Sequence, residues 1–328
     1  MKRTTYAIMA CIFAAVIAFS GCAPKPESGI VTIKLSEVTH SIFYAPLYAA
    51  MDLGYFEDEG LKLELTNAGG ADKVMTAVMS GDADIGLAGP EQTVYVLNQG
   101  QENGPINFAQ MTQCDGSFII AREYTDSFDI SDFIGKHILG GRKGGMPVMA
   151  LEYTLRRHGI TPGEDCDVDT SIAFDALPGA FISGVGDYVS LFEPTASKLA
   201  SEGHGFIVQS LGELSGKIPY TVYNAKKDYI ENNTDTVRKF VSAVKRGQEY
   251  VQSHTPEEIA KAIAPYFPDD SVDHIASIVA QYKKIDAYAS SPLISKESYE
   301  LLLDILDSSG ELTARPPYEA LVLTDFMK

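Results

Sequence analysis

Basic residues are scarce in this chain: 26 lysines and arginines stand against 44 aspartates and glutamates, a formal net charge of −18 over 328 residues. A surface so acidic gains nothing from counterion release at a phosphate backbone, and no basic-aromatic run offsets it, which excludes nucleic acid as a partner. Cysteine is nearly as rare. Cys11, Cys22, Cys114 and Cys166 are the four present, and with six scattered histidines they show no zinc-type spacing, so no metal and no cofactor is expected. No apolar run reaches the ~20 residues that span a bilayer. A nucleophile elbow, a Ser-His-Asp order, internal repeats and low-complexity tracts are likewise missing, and no catalytic residue is assigned.

What is present begins with an address. Lys2 and Arg3 precede an apolar run from Tyr6 to Phe19, and Phe19-Ser20-Gly21-Cys22 follows. A charged start, a short apolar stretch and small residues before a cleavage point describe a secretory signal. Its end resembles a bacterial lipobox, which makes residues 1–21 the signal peptide, Cys22 the lipidation site and residues 22–29 a tether rich in proline and charge. Acyl chains at ~0.8 kcal/mol per buried CH₂ would hold such a protein to the extracytoplasmic face of the cell membrane. Cys11 leaves with the signal. Cys114 and Cys166 are expected as free thiols in different lobes, a disulfide between them being the alternative in an oxidising compartment.

The remainder alternates strand and helix. From residue 30 to about 119 the order is strand, helix, strand, helix, strand, as in a doubly wound α/β lobe. A helix over Tyr44 to Leu53 carries Pro46 in its first turn, where a missing N–H costs nothing, and Gly54 ends it. Leu61, Leu63 and Leu65 alternate as a strand with one buried face. A helix from about Asp72 to Ser80 stops at Gly81, and the apolar Ile85–Ala88 leads to Gly89-Pro90-Glu91, where another helix opens. A second α/β set places strands at 136–140, 168–174, 187–192 and 206–211, with helices between. Four long amphipathic helices, over 236–253, 256–266, 270–287 and 296–308, close the chain. Two lobes follow, one from 30–119 plus 220–328 and one from 120–219, with crossovers near 118–123 and 214–224 and the ligand in the cleft between them.

In order along the chain, Ala45-Pro46-Leu47-Tyr48-Ala49, Leu53-Gly54-Tyr55-Phe56, Gly70 and Ser80-Gly81-Asp82-Ala83-Asp84-Ile85-Gly86 resemble the substrate-binding proteins of ABC importers. The branch is the one serving nitrate, alkanesulfonates, taurine and thiamine-pyrimidine precursors. The resemblance runs from about residue 30 to the end. It implies the two-lobed α/β fold of type II periplasmic binding proteins, closing by a hinge and docking on a permease driven by an ATPase. A monomer is expected.

The same resemblance puts the loop Glu37–Tyr44 on the cleft floor, which makes Thr39, His40, Ser41 and Tyr44 candidate ligand groups. A surface loop with its aromatics packed in the core is the other reading. Gly70 is either a plain helix start or a point where ligand nears the backbone. Gly89 and Glu91 follow a buried strand at its carboxyl end, where open α/β sheets place ligands. Glu91 alternatively serves only the helix dipole. Ser117, beside the first crossover, joins the set. Gly144 lies in the glycine-rich turn 140–145, which lacks Walker spacing but joins a strand to a helix. Asp187 and Glu193 flank another strand that leads into a helix, with helix capping as the alternative for Glu193. Tyr220 and Tyr223 are read as packing near the hinge.

With Glu91 and Glu193 both in the cleft, an anion would meet two negative charges. Each like-charge contact at ~4 Å and an effective dielectric of ~20 costs roughly 4 kcal/mol, about half of what defines micromolar affinity. A nitrogenous heteroaromatic, such as a pyrimidine precursor of thiamine, avoids that penalty and stacks on Tyr and Phe rings. Arg122, Arg142 and Lys143 reverse the preference if they point inward, toward a sulfonate, taurine or nitrate. The fold is shared with a pyrimidine synthase whose cofactor lysine and donor histidine fall on Ala88 and Gln92 here, and neither side chain can form a Schiff base or donate an imidazole. A ligand sensor is the remaining alternative.

Overall fold

The computed structural model describes residues 29–101 and 103–327. Cys11, Cys22, the signal peptide and most of the tether lie outside the described residues. Four strands open the described chain: β1 (Val31–Glu37), β2 (Leu61–Asn67), β3 (Ile85–Ala88) and β4 (Pro105–Cys114). Five more follow: β5 (Ser117–Ala121), β6 (His137–Leu139), β7 (Asp167–Asp169), β8 (Tyr188–Phe192) and β9 (Phe206–Ser210). The last, β10 (Lys217–Lys226), returns to the first group.

Two five-stranded sheets result, in the orders β2-β1-β3-β10-β4 and β7-β6-β8-β5-β9. Each is parallel on one side, with its crossing strand antiparallel: β10 against β3 and β4, β5 against β8 and β9. The chain therefore passes between sheets twice. The first passage is tighter and earlier than expected, at Asp115-Gly116, because Asp115 Oδ1 accepts from the Ser117 N–H (2.7 Å) and turns the chain at once. The apolar Phe118–Ala121 then lies inside the second sheet, paired with Tyr188–Leu191, rather than serving as linker.

Helix ends follow local chemistry. The helix Ala45–Asp52 has proline at its start, and Gly54 lies just beyond it with φ 73°. The helix Ala71–Ser80 ends on Gly81 with φ 85°, a left-handed stop. The helix Thr234–Ser253 buries Val237, Phe240, Val241, Val244, Gln248 and Val251, a stripe of 3.6-residue period, against Ala45–Asp52. The expected strand at 168–174 is only β7. Asp169 Oδ1 accepts from the Ser171 N–H (2.8 Å), which peels the chain off the sheet and delivers Phe174 to the space between the sheets. Cys114 and Cys166 are free and buried. Among the described residues no helix is long and apolar enough to cross a membrane.

Candidate functional site

The carboxyl ends of β3 and β8, the loops after β1 and β2 and the turns after β6 and β7 converge on one cavity between the sheets. Its volume is about 100 Å³, counted as the space open to the centre of a water-sized sphere. That is room for several waters or one small ring, since a single water needs roughly 10–15 Å³ by the same measure.

Its walls are aromatic. Tyr44, Phe174, Phe192 and Tyr220 line it, with Phe174 and Tyr220 flanking Phe192 at ring separations of 5.7 and 6.0 Å. Its polar floor is Glu91. This side chain is fully buried; Oε1 accepts from Gln92 Nε2 (2.9 Å), and Oε2 has no partner. Burial pushes the Glu91 carboxyl above its ordinary range, while Gln92, the Arg142 guanidinium and the Met146 amide across the cleft pull the other way. The last two act without completing a hydrogen bond to Oε2. Gly89 makes the arrangement possible, because a Cβ there would stand 2.0 Å from Glu91 Oε2.

Charged pairs close the mouth. Lys73 and Asp72, on the helix packed against the first sheet, reach Asp175 (3.3 Å) and Arg142 (3.5 Å) on the second. Tyr95 donates to the Gly144 carbonyl (2.9 Å), and Ser41 donates to the Glu193 carbonyl, so the two halves are drawn together around the cavity.

Of the candidates named above, Thr39, Tyr44, Gly70, Gly89 and Glu91 line this cavity. The others lie elsewhere. His40 faces the helical tail: Nδ1 meets Glu37 (2.9 Å), Nε2 meets the Tyr266 carbonyl (2.7 Å), and the ring stacks on Phe267. Ser41 caps the turn at Phe43 and ties the halves together. Ser117 is sealed beneath the crossover, donating to Asp115 (2.6 Å) and accepting from Ser190 (2.7 Å). Gly144 sits on an outer groove rather than in the cavity. Asp187 precedes β8, opposite the cleft end of that strand, and its carboxylate accepts from the His137 N–H (2.9 Å). Glu193 turns away to cap its helix, accepting from the Ser197 N–H (2.8 Å) and hydroxyl (2.6 Å).

The cavity thus holds one of the two expected glutamates, so the like-charge contact expected from Glu193 is absent. Asp72 and Asp175 also line it, each beside a cation, Arg142 and Lys73. Arg122 is excluded, since it donates to the carbonyls of Phe181, Val185 and Gly186 and lies over the Phe181 ring. Lys143 reaches Glu311 at the surface (3.5 Å).

The sequence reading missed Phe174, Phe192 and Thr221 as cavity residues and assigned Tyr220 to packing. Tyr223 does pack, against Phe108 and Phe240, whereas Tyr220 lines the cavity. They stand three positions apart on one strand, so opposite facing is what the β period dictates. Among the described residues no group of three or more His, Cys, Asp or Glu is placed to hold a metal.

A family model described as NMT1/THI5 like matches residues 42–259. YtlA of Bacillus subtilis (strain 168), a candidate binding protein, is 44% identical over 322 residues, covering 98% of this chain and 96% of its own. The 4-amino-5-hydroxymethyl-2-methylpyrimidine phosphate synthase of Candida albicans (strain WO-1) is 26% identical over 234 residues, 67% of this chain and 66% of its own. The alkanesulfonate-binding protein SsuA from Xanthomonas axonopodis pv. citri, bound to MOPS, superposes with TM-score 0.72 at 15% identity, over 90% of this chain and 99% of that one. The ligand-binding component of an ABC-type import system from Staphylococcus aureus, with zinc bound, gives TM-score 0.72 at 16% identity, over 90% and 98%. At such identities the structures establish the fold, which is the periplasmic-binding-protein fold expected from the sequence.

Proposed function

This chain belongs to the NMT1/THI5-like family, and from that premise we propose that it is the solute-binding component of an ABC importer. It captures a small nitrogenous heteroaromatic, of the class of thiamine pyrimidine precursors, in the cleft between a lobe built on the sheet β2-β1-β3-β10-β4 and one built on β7-β6-β8-β5-β9. It then hands the ligand to a permease and its ATPase. A lipid on Cys22 tethers it, as a monomer, to the extracytoplasmic face of the cell membrane. No catalytic role is assigned. Ala88 and Gln92 stand where the resemblance puts a synthase's lysine and histidine, and neither has the chemistry those roles require.

One observation carries the choice of ligand: the unpartnered Oε2 of buried Glu91, in a cavity walled by Tyr44, Phe174, Phe192 and Tyr220. An acceptor sealed from water calls for a donor, and a flat ring bearing an exocyclic amine supplies one while filling the space between aromatic faces. Thermal melts with aminopyrimidines, taurine, alkanesulfonates and nitrate test it. A tight ligand at a thousandfold excess over Kd adds about 4.1 kcal/mol of stability. Aminopyrimidines should shift the melt; a shift by sulfonates, taurine or nitrate alone would replace the proposed cargo with an anion, leaving the transport role intact. Radiolabelled palmitate should enter the wild type and not Cys22→Ala.

A further inference from the structure

Between Thr39, which lines the cavity, and Ser41, which donates to the Glu193 carbonyl of the other sheet, stands His40. Its imidazole has an acceptor at each nitrogen. Nε2 faces the Tyr266 carbonyl (2.7 Å), and Nδ1 faces Glu37 Oε1 (2.9 Å). A carbonyl oxygen only accepts, so Nε2 carries a proton. The Tyr48 hydroxyl gives its one proton to Glu37 Oε2 (2.6 Å) and stands 3.1 Å from Nδ1, to which it offers a lone pair. Nδ1 and Oε1 therefore need a further proton between them. The pair holds one proton more than a carboxylate beside a neutral imidazole, and Glu37, 1% exposed, is closed to solvent that could replace it. Phe267 stacks on the ring and Tyr48 meets it edge-on, which fixes its plane.

We infer that Glu37 and His40 are positioning residues that hold loop 38–41 in its ligand-binding form through the proton they share, so that ligand affinity is coupled to that proton. This rests on the reading above that the ligand sits in the cavity between the lobes. The bond to Glu37 raises the imidazolium above its ordinary 6.5, against burial that lowers it. The other titratable groups around the pair stay fixed near neutrality. Burial holds the phenols of Tyr44, Tyr48, Tyr223 and Tyr266 protonated, and on the tail Asp270 and His274 pair with each other (2.8 Å). Loss of the shared proton sets the Nδ1 lone pair against a buried carboxylate oxygen, and the imidazole must turn out. Thr39 and Ser41, on either side of it, then leave their places at the cavity wall and on Glu193. The stabilisation is complete below the unfolded value and lost as pH rises through the raised folded one.

Glu37→Gln replaces the shared proton. Its amide donates to a neutral Nδ1, its carbonyl accepts from Tyr48, and Nε2 still donates to Tyr266. His40→Ala leaves the loop without its anchor. Calorimetric titrations with 4-amino-5-hydroxymethyl-2-methylpyrimidine and methanesulfonate, between about pH 7 and 9.5, compare the wild type with both variants. Melting curves certify folding, and the ¹⁵N resonances of His40 follow its titration. Wild-type affinity should fall about fivefold or more across that titration, the lower end of ordinary couplings. By the same linkage, bound ligand should move the His40 titration to higher pH. Glu37→Gln should keep its neutral-pH affinity throughout and exceed the wild type at the alkaline end, and His40→Ala should bind weakly at every pH. A merely structural defect would leave Glu37→Gln below the wild type everywhere. Any titration of the pyrimidine itself is common to all three proteins. A His40 with no titration step in this range, an affinity that ignores the step, or a Glu37→Gln that stays below the wild type overturns the coupling and leaves the ligand reading standing. If the wild type binds only methanesulfonate, the nitrogenous cargo falls, and the coupling is judged by the same comparison on that anion. Wild type binding neither probe at any pH overturns both.

Discussion

Glu91 shows how one residue serves both stability and recognition. Its carboxyl is held above the ordinary 4.5 by burial, so ionisation costs the folded state more than the unfolded one. The sign follows from linkage: as pH rises through the unfolded and then the folded value, the fold loses stability, and below the unfolded value the loss is gone. Glu91→Gln removes the charge while nearly preserving shape. It should raise the melting temperature at neutral pH, an advantage that shrinks in acid and disappears below about pH 4.5, as calorimetry between pH 4 and 8 will read. The same variant should weaken a donor-bearing ligand by about 1.5–3 kcal/mol. Higher stability with lower affinity is the signature of a buried charge kept for binding. Glu193, with both oxygens bonded to Ser197, has a helix end for its partner and should show no comparable loss of affinity as Glu193→Gln.

Among the elements, the helix Thr234–Ser253 has the tightest dependence on a missing side chain. Gly247 faces the helix Ala45–Asp52, and a Cβ there would stand 2.2 Å from the Pro46 carbonyl oxygen. Alanine improves helix propensity by up to ~1 kcal/mol, yet overpacking a close contact costs typically 1–3 kcal/mol. Gly247→Ala should therefore be net destabilising by about 1 kcal/mol or more in urea denaturation, against the trend for glycine in a helix; a stabilised variant would mean that the two helices separate freely. Elements of this kind were legible in advance. Lys296–Ser308 matches its expected span residue for residue, since its apolar period and flanking serine are local signals. β7 was misread as seven residues because Val168, Ile172 and Phe174 look like strand, while the Asp169–Ser171 turn that ends it rests on two bonds, from the Ser171 N–H and hydroxyl to the Asp169 side chain. Crossover placement failed for the same reason at Asp115.

At the scale of the molecule, the two sheets are held around the cavity by contacts of unequal worth. The Lys73–Asp175 and Asp72–Arg142 pairs at the mouth are largely solvent-exposed, with side chains 40–54% accessible, and such pairs contribute ~0–1 kcal/mol each. Lys73→Ala and Asp72→Ala should each weaken ligand by less than about fivefold, an effect that fades in high salt as screening removes the pair. Small-angle scattering without ligand should show the double variant slightly more expanded. A loss of a hundredfold from either single variant would mean the mouth contacts ligand directly, and that Asp72 or Lys73 belongs with Glu91 in the site.

The sequence alone determined the succession of strands and helices, the acidic balance, and the placing of Glu91 at the carboxyl end of a buried strand. All of these are written in local periodicity and in residues a few positions apart. Which of Glu91 and Glu193 enters the cavity, and that Tyr220 and Phe174 wall it, was decided only when strand ends and loops of the two sheets met around it. Each of those side chains had a satisfactory local alternative, and contacts between residues a hundred positions apart chose between them.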